Sequence, residues 1–389
     1  MIPTYGADLF SDESLDHPYG HLRNLRDLGP LVWLDAHDVF VVSRYAEARE
    51  VLGHPEVFCS GQGVGLNEFI NTAGQGTTLM SDGTQHEKLR SVIGRPLTPK
   101  ALAALRDEAE VLAAGVADRL VQACSFDAVT DLAEVIPSTW VPDLLGWPAE
   151  GRDRLLEWAA ATFDGLGPLN ERTVAAATGL LEMSSYAQEV ASSPLPPDSM
   201  GAGIVDAAKR GEIEWAQCPM AFIDYLGPSL DTTIAAIGNA IWLFATHPDQ
   251  WALLRRDPDR VKQAFNEVLR FESPISGFTR VATRTTEIGG EELPAGARVL
   301  VSFASANRDE RQWHAPDQFD ITRNSAGHVG FGYGPHACVG MGLARLEASA
   351  VLGALVARVD RFDLDGTPVR RLNNLIRSFA SLPMRIQAA

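Results

Sequence analysis

A glycine-rich segment that contains one cysteine, FGYGPHACVG at residues 331–340, constrains this chain more than any other part of its sequence. Its three glycines let a bulged backbone pass close to a large neighbour, because glycine tolerates conformations that other residues rarely adopt. The helical pattern MGLARLEASAVLGALV follows at once, so Cys338 stands beside a helix start, where N–H groups stabilise a thiolate. We therefore predict that Cys338 is a ligand for a soft metal.

The other three cysteines, Cys59, Cys124 and Cys218, lie far apart and form no CxxC pair. We expect them to be ordinary core residues rather than a disulfide framework or a zinc site. A hydrolase built on Cys338 and His336 is disfavoured, because residues two apart on a glycine loop do not make a natural nucleophile and base.

Hydrophobic periodicity predicts a mainly α protein. Apolar residues recur at helical spacing through most of the first two thirds, for instance in residues 105–123. Residues 30–45 alternate like a β-hairpin, and residues 287–303 contain two short β-rich runs around glycine and proline turns. No repeat or linker marks a boundary, so we expect residues 1–389 to form a single domain with a small β region.

Charge and hydropathy exclude several classes of partner. The chain has 33 Lys and Arg against 50 Asp and Glu, a formal charge of −17, which is the wrong sign for nucleic acid or an anionic membrane. The N-terminus lacks the basic start and apolar core of a signal peptide. The longest uncharged stretch, residues 232–248, falls short of a membrane-spanning helix. We expect a cytoplasmic protein.

The segment WAQCPMAFIDYLGPSLDTTIAAIGNAIWLFATHP predicts an unusually long helix with a proline inside it. Pro228 cannot donate to the carbonyl of Asp224, and its ring crowds that turn, so we expect the helix to kink or open just before Ser229. Asp231 and Thr232 then lie beside the defect. Taken alone, the segment could equally be a buried helix with incidental polar residues.

Two further segments have a recognisable pattern. Glu267 and Arg270 lie three apart on one helix face, which by itself suggests a surface ion pair worth only roughly tenths of a kcal/mol. Residues 58–84 are glycine-rich and show no helical period, and a loop this long inside a compact domain is usually functional. We expect it to be a lid or a pocket wall, with Leu66, Phe69, Ile70 and Leu79 against an apolar surface.

Together these segments resemble the cytochrome P450 family of haem-thiolate monooxygenases. Residues 331–340 match the family pattern FGxGxHxCxG at every position, EVLR resembles its ExxR helix, and PSLDTT resembles its A-G-x-D-T segment with Pro228 and Ser229 replacing Ala-Gly. The resemblance implies the mainly α, triangular-prism P450 fold and a bound haem b (iron protoporphyrin IX), with Cys338 as the axial iron ligand. It makes Asp231 and Thr232 an acid–alcohol pair that manages protons. It also joins Arg323 to the Glu267–Arg270 pair as structural support.

Haem carries two propionates, and buried carboxylates need charged partners. The resemblance gives this role to four side chains and places two further residues of the cysteine loop against the cofactor. The four donors are His86, Arg90, Arg280 and His336, and the two loop residues are Phe331 and Gly332.

Within the family, the segments FESP, SANRD, HVGFG, RRLNN and PSLDTT resemble bacterial aromatic-acid O-demethylases of the para-methoxybenzoate group. Pockets of that group hold a planar ring over the cofactor and anchor a carboxylate through an arginine and serines. We expect the substrate contacts here to be Leu79, Phe163, Leu166, Ser229, Phe278 and Gln75.

The anchor for a carboxylate is missing from the loop. Between Gly61 and Gly83 there is no arginine or lysine, and the only charges are Glu68 and Asp82. A buried benzoate would therefore lack a countercharge. We favour a neutral methoxyphenol, with Gln75 and Asn67 recognising its hydroxyl, and keep a methoxybenzoate as the close rival.

The predicted reaction is hydroxylation of an aryl methyl ether with O₂, which releases a phenol and formaldehyde. The chain has no flavin motif and no four-cysteine cluster, so we expect its electrons to come from an iron–sulfur ferredoxin and its NAD(P)H reductase. We also expect the protein to be a monomer. Arg345 and Arg371 are expected ferredoxin contacts near Cys338. A peroxide-driven peroxygenase would need no ferredoxin, but Asp231 and Thr232 point to O₂. A non-catalytic haem-binding sensor would need no substrate cavity.

Overall fold

The computed structural model describes residues 1–389 and is mainly α with a small β region, which confirms the prediction. Sixteen helices carry most of the chain. They are α1 (Asp12–Asp16), α2 (Pro18–Leu28), α3 (Tyr45–Gly53), α4 (Glu68–Ala73), α5 (Gly83–Gly94), α6 (Pro99–Ala104), α7 (Arg106–Ala123), α8 (Val135–Leu145), α9 (Leu155–Gly165), α10 (Glu171–Ser192), α11 (Met200–Lys209), α12 (Cys218–Thr246), α13 (Pro248–Arg256), α14 (Val261–Phe271), α15 (Phe303–Ala306) and α16 (Met341–Val356). None of the helices combines the length and the apolar composition that crossing a bilayer requires.

Thirteen short strands form four sheets. They are β1 (Thr4–Tyr5), β2 (Val32–Leu34), β3 (Val39–Val42), β4 (Phe58–Cys59), β5 (Ser125–Asp127), β6 (Gly277–Ala282), β7 (Thr286–Ile288), β8 (Glu291–Leu293), β9 (Arg298–Ser302), β10 (Val359–Leu364), β11 (Val369–Leu372), β12 (Arg377–Ser381) and β13 (Pro383–Ala388). The largest sheet has the order β1-β2-β3-β9-β6-β4, and the others are β10-β13-β5, β11-β12 and β7-β8.

Both segments predicted to be β-rich form strands. In the β2–β3 hairpin Trp33 pairs with Phe40, and β9 joins the same sheet parallel to β3. The β7–β8 hairpin turns at Gly289 and Gly290, whose φ angles of 56° and 85° are those of a type I′ turn. Because β9 also pairs antiparallel with β6, the sheet fixes the strand that carries Phe278 and Arg280.

Helix α12 is 29 residues long and forms the centre of the main core. Nine of the ten residues 230–239 are buried, as expected for a helix that is covered on all sides. The helix continues through Pro228, so the expected opening does not interrupt it. The Ser229 hydroxyl donates to the Tyr225 carbonyl and the Thr232 hydroxyl to the Pro228 carbonyl. These side-chain bonds occupy backbone acceptors around the proline.

The Glu267–Arg270 pair lies inside the protein, where the bare spacing suggested a surface pair. Both side chains are fully buried, and the guanidinium makes two hydrogen bonds of 2.7 and 2.8 Å to the carboxylate. Arg323 Nε donates to the same carboxylate at 3.2 Å, and Ser325 donates to its second oxygen. This network ties α14 to the segment that leads to the cysteine loop.

Two predictions about individual residues are wrong. In residues 58–84 the helix α4 forms, and Phe69 on it is 47% exposed instead of lying against an apolar surface. Cys59 and Cys218 are buried as expected, but Cys124 is exposed because it follows the end of α7 in a positive-φ turn.

Candidate functional site

A cavity of about 1510 Å³, partly open to solvent, lies between α12 and the cysteine loop before α16. This volume includes solvent space at the cavity mouth, and most of the side chains that line the cavity are hydrophobic. Most of the site residues predicted from the sequence line it: Leu79, Arg90, Phe163, Leu166, Ser229, Thr232, Phe278, Arg280, Phe331, Gly332, His336 and Cys338.

A hydrogen bond between its own backbone groups closes the cysteine loop, residues 331–340. The Cys338 N–H donates to the Phe331 carbonyl at 2.8 Å, and Gly332 has a φ of 70°. Gly334 has a φ of 73°, and a Cβ there would lie 2.3 Å from the Leu52 carbonyl oxygen. Only glycine suits this position, because a side chain would collide with rigid backbone. The loop therefore presents Cys338 to the cavity in a fixed place.

Cys338 is exposed to the cavity and precedes the first turn of α16. Burial within the protein raises the pKa of its thiol, while the Gly340 N–H, the Arg90 guanidinium and the Met341 N–H act to lower it. The donors expected at the helix start are thus in place. A metal bound at the sulfur would supply the further positive charge that a thiolate needs.

A cluster of cationic and imidazole side chains lines one side of the cavity or packs behind it. The ring centres of His86 and His336 lie 4.1 Å apart with the ring planes tilted by 43°, and buried Arg280 donates to the Thr279 carbonyl at 2.7 Å. Arg90 donates to the Ala337 carbonyl. Burial lowers the pKa of His86 to about 4 and that of Arg280 to about 10.

Acidic partners for this cluster are scarce. Asp82 lies 3.7 Å from His336 Nε2, and Asp224 attracts Arg90, but neither Arg280 nor Arg90 forms an ion pair. His86 Nε2 is buried without a hydrogen-bond partner. A cluster with so few counterions favours an anionic ligand, so the site fits the propionates of the expected haem b as well as its iron.

The acid and the alcohol of the expected pair point in different directions. The Thr232 hydroxyl lies on the cavity wall and donates to the Pro228 carbonyl at 2.6 Å. Asp231 is buried and does not line the cavity, and its carboxylate lies 3.6 Å from the Arg371 guanidinium on β11. Burial raises the pKa of Asp231 to about 6, against the effect of Arg371.

Two residues expected to bind substrate have structural contacts instead. Gln75 Nε2 donates to the carbonyls of Gly61 and Asn71, and Asn67 Nδ2 donates to those of Gly165 and Gly167. Neither residue lines the cavity. A glycine-rich loop leaves carbonyls without regular backbone partners, and these amides satisfy them.

The two residues expected to contact ferredoxin lie in different parts of the protein. Arg345 lies beside the cysteine loop, with its guanidinium 5.1 Å from the centre of the Phe331 ring. Arg371 is the partner of Asp231 and belongs to the β11–β12 hairpin, so it is not placed beside Cys338.

Two cavity residues were not identified from the sequence. Asp224 lies one turn before Pro228 on α12, and burial raises its pKa to about 6. Glu347 lies on α16, burial raises its pKa to about 8, and its Oε2 has no partner. Helical spacing was a usable signal for the first, because Asp224, Pro228 and Thr232 recur every four residues along one face.

Comparison with known proteins gives a consistent result. A family model described as Cytochrome P450 matches residues 208–387. Cytochrome p450 CYP199A2 of Rhodopseudomonas palustris is 39% identical over 100% of this chain and 95% of its own length. Cytochrome P450 monooxygenase PikC of Streptomyces venezuelae is 31% identical over 98% and 92%. The solved structure of Cytochrome P450 CYP109Q5 from Chondromyces apiculatus superposes with a TM-score of 0.83 at 29% identity, covering 100% of both chains.

Proposed function

This chain belongs to the cytochrome P450 family, and from that premise we propose that it is a ferredoxin-dependent monooxygenase for small methoxy-substituted aromatic compounds. The observation that carries the proposal is one cavity in which Cys338 faces an apolar wall. Aromatic rings are bound best by such walls. The motifs that resemble aromatic-acid O-demethylases support the same substrate class.

Cytochrome P450 proteins bind haem b, and the residues present here fit it. Cys338 would hold the iron, and Arg90, Arg280 and His336 on the cavity wall would hold the propionates, with His86 packed behind His336. When bound, haem b supplies the activation of O₂ and the transfer of one oxygen atom to substrate. The chain contributes binding, orientation and proton supply.

The apolar wall consists of Leu79, Phe163, Leu166 and Phe278, which come from three separate segments of the chain. Phe278 is held edge to face by Phe303, with ring centres 5.8 Å apart. Phe163 on α9 is 2% exposed and lies in the protein core. Because these side chains are already held in place, they lose little conformational freedom when a planar ring binds among them, and the ring is shielded from water.

The proposed reaction converts an aryl methyl ether into a phenol and formaldehyde. One atom of O₂ enters a methyl C–H bond, and the resulting hemiacetal breaks its C–O bond to the two products. The second oxygen atom leaves as water, which takes up two electrons and two protons. The electrons come from NAD(P)H through a reductase and an iron–sulfur ferredoxin that docks near Cys338, beside Arg345.

We assign the proton supply to Asp231 and Thr232. With a pKa of about 6, the Asp231 carboxyl both accepts and releases a proton near neutral pH. The Thr232 hydroxyl lies on the cavity wall, where it orients the final donor. This arrangement favours O₂ over peroxide as the oxidant, because peroxide already carries the electrons and protons that O₂ must be given.

The test is turnover of the holoenzyme with an NADH-driven ferredoxin system and either 4-methoxyphenol or 4-methoxybenzoate. We expect formaldehyde in proportion to the NADH consumed and a low-spin to high-spin change on binding. Replacement of the ferredoxin system by hydrogen peroxide should give little product. Formaldehyde formation from neither compound, with normal reduction by ferredoxin, would reject O-demethylation. The Cys338→Ser variant, which should lose the red-shifted band of the carbon monoxide complex, serves as the inactive control.

A further inference from the structure

Asp224 places a carboxylate on the wall of the same cavity that holds Cys338 and Phe278. It lies on α12 two turns before Asp231, on the side of the helix that also carries Pro228. An acidic side chain in an apolar cavity is costly unless something binds to it. We therefore expect a bound ligand to interact with the Asp224 carboxylate.

The protein satisfies only part of the hydrogen-bonding capacity of Asp224. Its Oδ2 accepts a hydrogen bond from the Thr78 N–H at 2.8 Å, and the Thr78 hydroxyl and the Leu79 N–H also act to lower the pKa of the carboxyl. Arg90 attracts the carboxylate without forming an ion pair with it. An ionised carboxylate can accept about four hydrogen bonds, so Asp224 keeps capacity for one more from a ligand in the cavity.

The neighbouring hydroxyls cannot readily serve a ligand acceptor. The Ser229 hydroxyl donates to the Tyr225 carbonyl, and the Thr232 hydroxyl donates to the Pro228 carbonyl. Each hydroxyl has one proton to donate, and in both cases the backbone already receives it. These two hydroxyls beside Asp224 are therefore not free to donate to a ligand.

The nearby arginines are also engaged. Arg90 donates to the Ala337 carbonyl and belongs to the proposed propionate cluster. Arg298 donates to the carbonyls of Gln62 and Gly63 and does not line the cavity. A ligand carboxylate would meet a like charge at Asp224, and the nearest cation, Arg90, would already be paired with a propionate.

We propose that Asp224 determines substrate specificity by accepting a hydrogen bond from a neutral donor on the aromatic ring, a phenolic hydroxyl, and by excluding a carboxylate at the same position. This inference rests on the proposed function and narrows it from two substrate classes to one. A ligand ammonium group is disfavoured, because one carboxylate on an apolar wall does not offset the loss of the ammonium group's hydration.

The test is calorimetric binding of 4-methoxyphenol, 4-methoxybenzoate and 4-methoxybenzylamine to the haem-loaded protein at neutral pH. We expect the phenol to bind at least about tenfold more tightly than either charged compound. In Asp224→Asn the like charge is gone, so the preference for phenol over benzoate should shrink by about tenfold. Binding of 4-methylanisole, which has neither group, should change by less than about twofold.

Asp231→Asn is the matched control. It removes another buried acid of raised pKa from the same helix, but one that does not line the cavity, so the phenol preference should remain. Equal binding of phenol and benzoate to the wild type, tightest binding of the amine, or an unchanged preference in Asp224→Asn would each overturn the inference. Efficient formaldehyde release from 4-methoxybenzoate alone would refute the role of Asp224 and leave O-demethylation standing. If the ligands bind in the expected order but none of them yields formaldehyde, O-demethylation is refuted and the role of Asp224 stands.

Discussion

The Asp231 carboxylate faces Arg371, not the cavity: its Oδ1 lies 3.6 Å from the guanidinium, and its Oδ2 is buried without a partner. Arg371 is 35% exposed, so this pair connects the interior of α12 with the protein surface. Asp164 and Glu134 face the same carboxylate and raise its pKa further. We propose that the pair takes up a proton from outside and holds it next to Thr232.

Replacement of Asp231 by Asn should therefore remove proton supply without removing binding. We expect product formation to fall about a hundredfold, since positioned acid–base groups contribute ~10²–10⁴. Substrate Kd should change by less than about twofold, because the carboxylate does not line the cavity. Steady-state formaldehyde formation and ligand titration check the two parts. Asp206→Asn, an exposed acid on α11 paired with Lys209, is the control, and equal activity in both variants would remove Asp231 from the mechanism.

Thr232→Ala should uncouple NADH use from product. The variant loses the hydroxyl on the cavity wall, so we expect product per NADH to fall several-fold, by roughly 1 kcal/mol or more in the partition between productive and unproductive reduction. Thr232→Ser keeps a hydroxyl and should stay near the wild-type ratio. The ratio of formaldehyde to NADH measures the effect, and unchanged coupling in the Ala variant would contradict it.

Loss of one partner from the buried Glu267–Arg270 pair should be severe. In Arg270→Ala the Glu267 carboxylate stays buried without its bidentate partner, which typically costs about 3–5 kcal/mol of unfolding free energy. Arg323→Gln removes one hydrogen bond to the same carboxylate and those that Arg323 donates to the carbonyls of His314, Ala315 and Gln318. Because this side chain is 13% exposed and water can replace part of these bonds, the change should cost about 2 kcal/mol. Urea unfolding followed by circular dichroism compares the two. Equal losses of unfolding free energy in the two variants would show that the Arg270 contacts stabilise the fold no more than the Arg323 contacts do.

Glu347 should make the protein less stable as pH rises. Burial raises its pKa to about 8 in the folded state from an ordinary 4.5, so between these values the folded protein retains a proton that the unfolded chain has released. Stability is fully present below the lower value and falls by about 1.4 kcal/mol per pH unit towards the upper one. Glu347→Gln should remove this slope and gain about 4 kcal/mol on the wild type between pH 5 and pH 8.

Unfolding midpoints of the wild type and of Glu347→Gln, measured from about pH 5 to about pH 8, test this predicted pH dependence. The control is Glu87→Gln, which alters an exposed residue of α5 and should leave the wild-type pH dependence in place. A constant difference between Glu347→Gln and the wild type from pH 5 to pH 8 would show that Glu347 is ionised when folded.

The parts of the site that sequence patterns predicted are those with a local cause. The cysteine loop must turn at Gly332 and Gly334, where φ is positive, and the thiol must stand before a helix, so spacing alone located Cys338. The alternation of residues 30–45 likewise predicted the β2–β3 hairpin, because it is a contact between neighbours in sequence.

The parts that could not be predicted depend on distant segments. Arg371 is 140 positions from Asp231, and nothing in either segment indicates that the β11–β12 hairpin reaches α12. Gln75 carried a suitable group for a phenol, but the nearby carbonyls of Gly61 and Asn71 occupy it. The role of Asp224 depends on its position on the cavity wall without an ion-pair partner, which only three-dimensional packing decides.

The exposed thiol of Cys124 at the end of α7 has a practical consequence. Once cofactor covers Cys338, Cys124 is the cysteine that reagents reach, so the holoprotein should take up one maleimide and offers a single attachment point for a fluorescent reporter. The same accessibility allows two molecules to become covalently joined during aerobic storage. Measurements of oligomeric state therefore call for a reductant or a Cys124→Ser variant, since an oxidised sample would contain cross-linked pairs that reflect handling and not assembly.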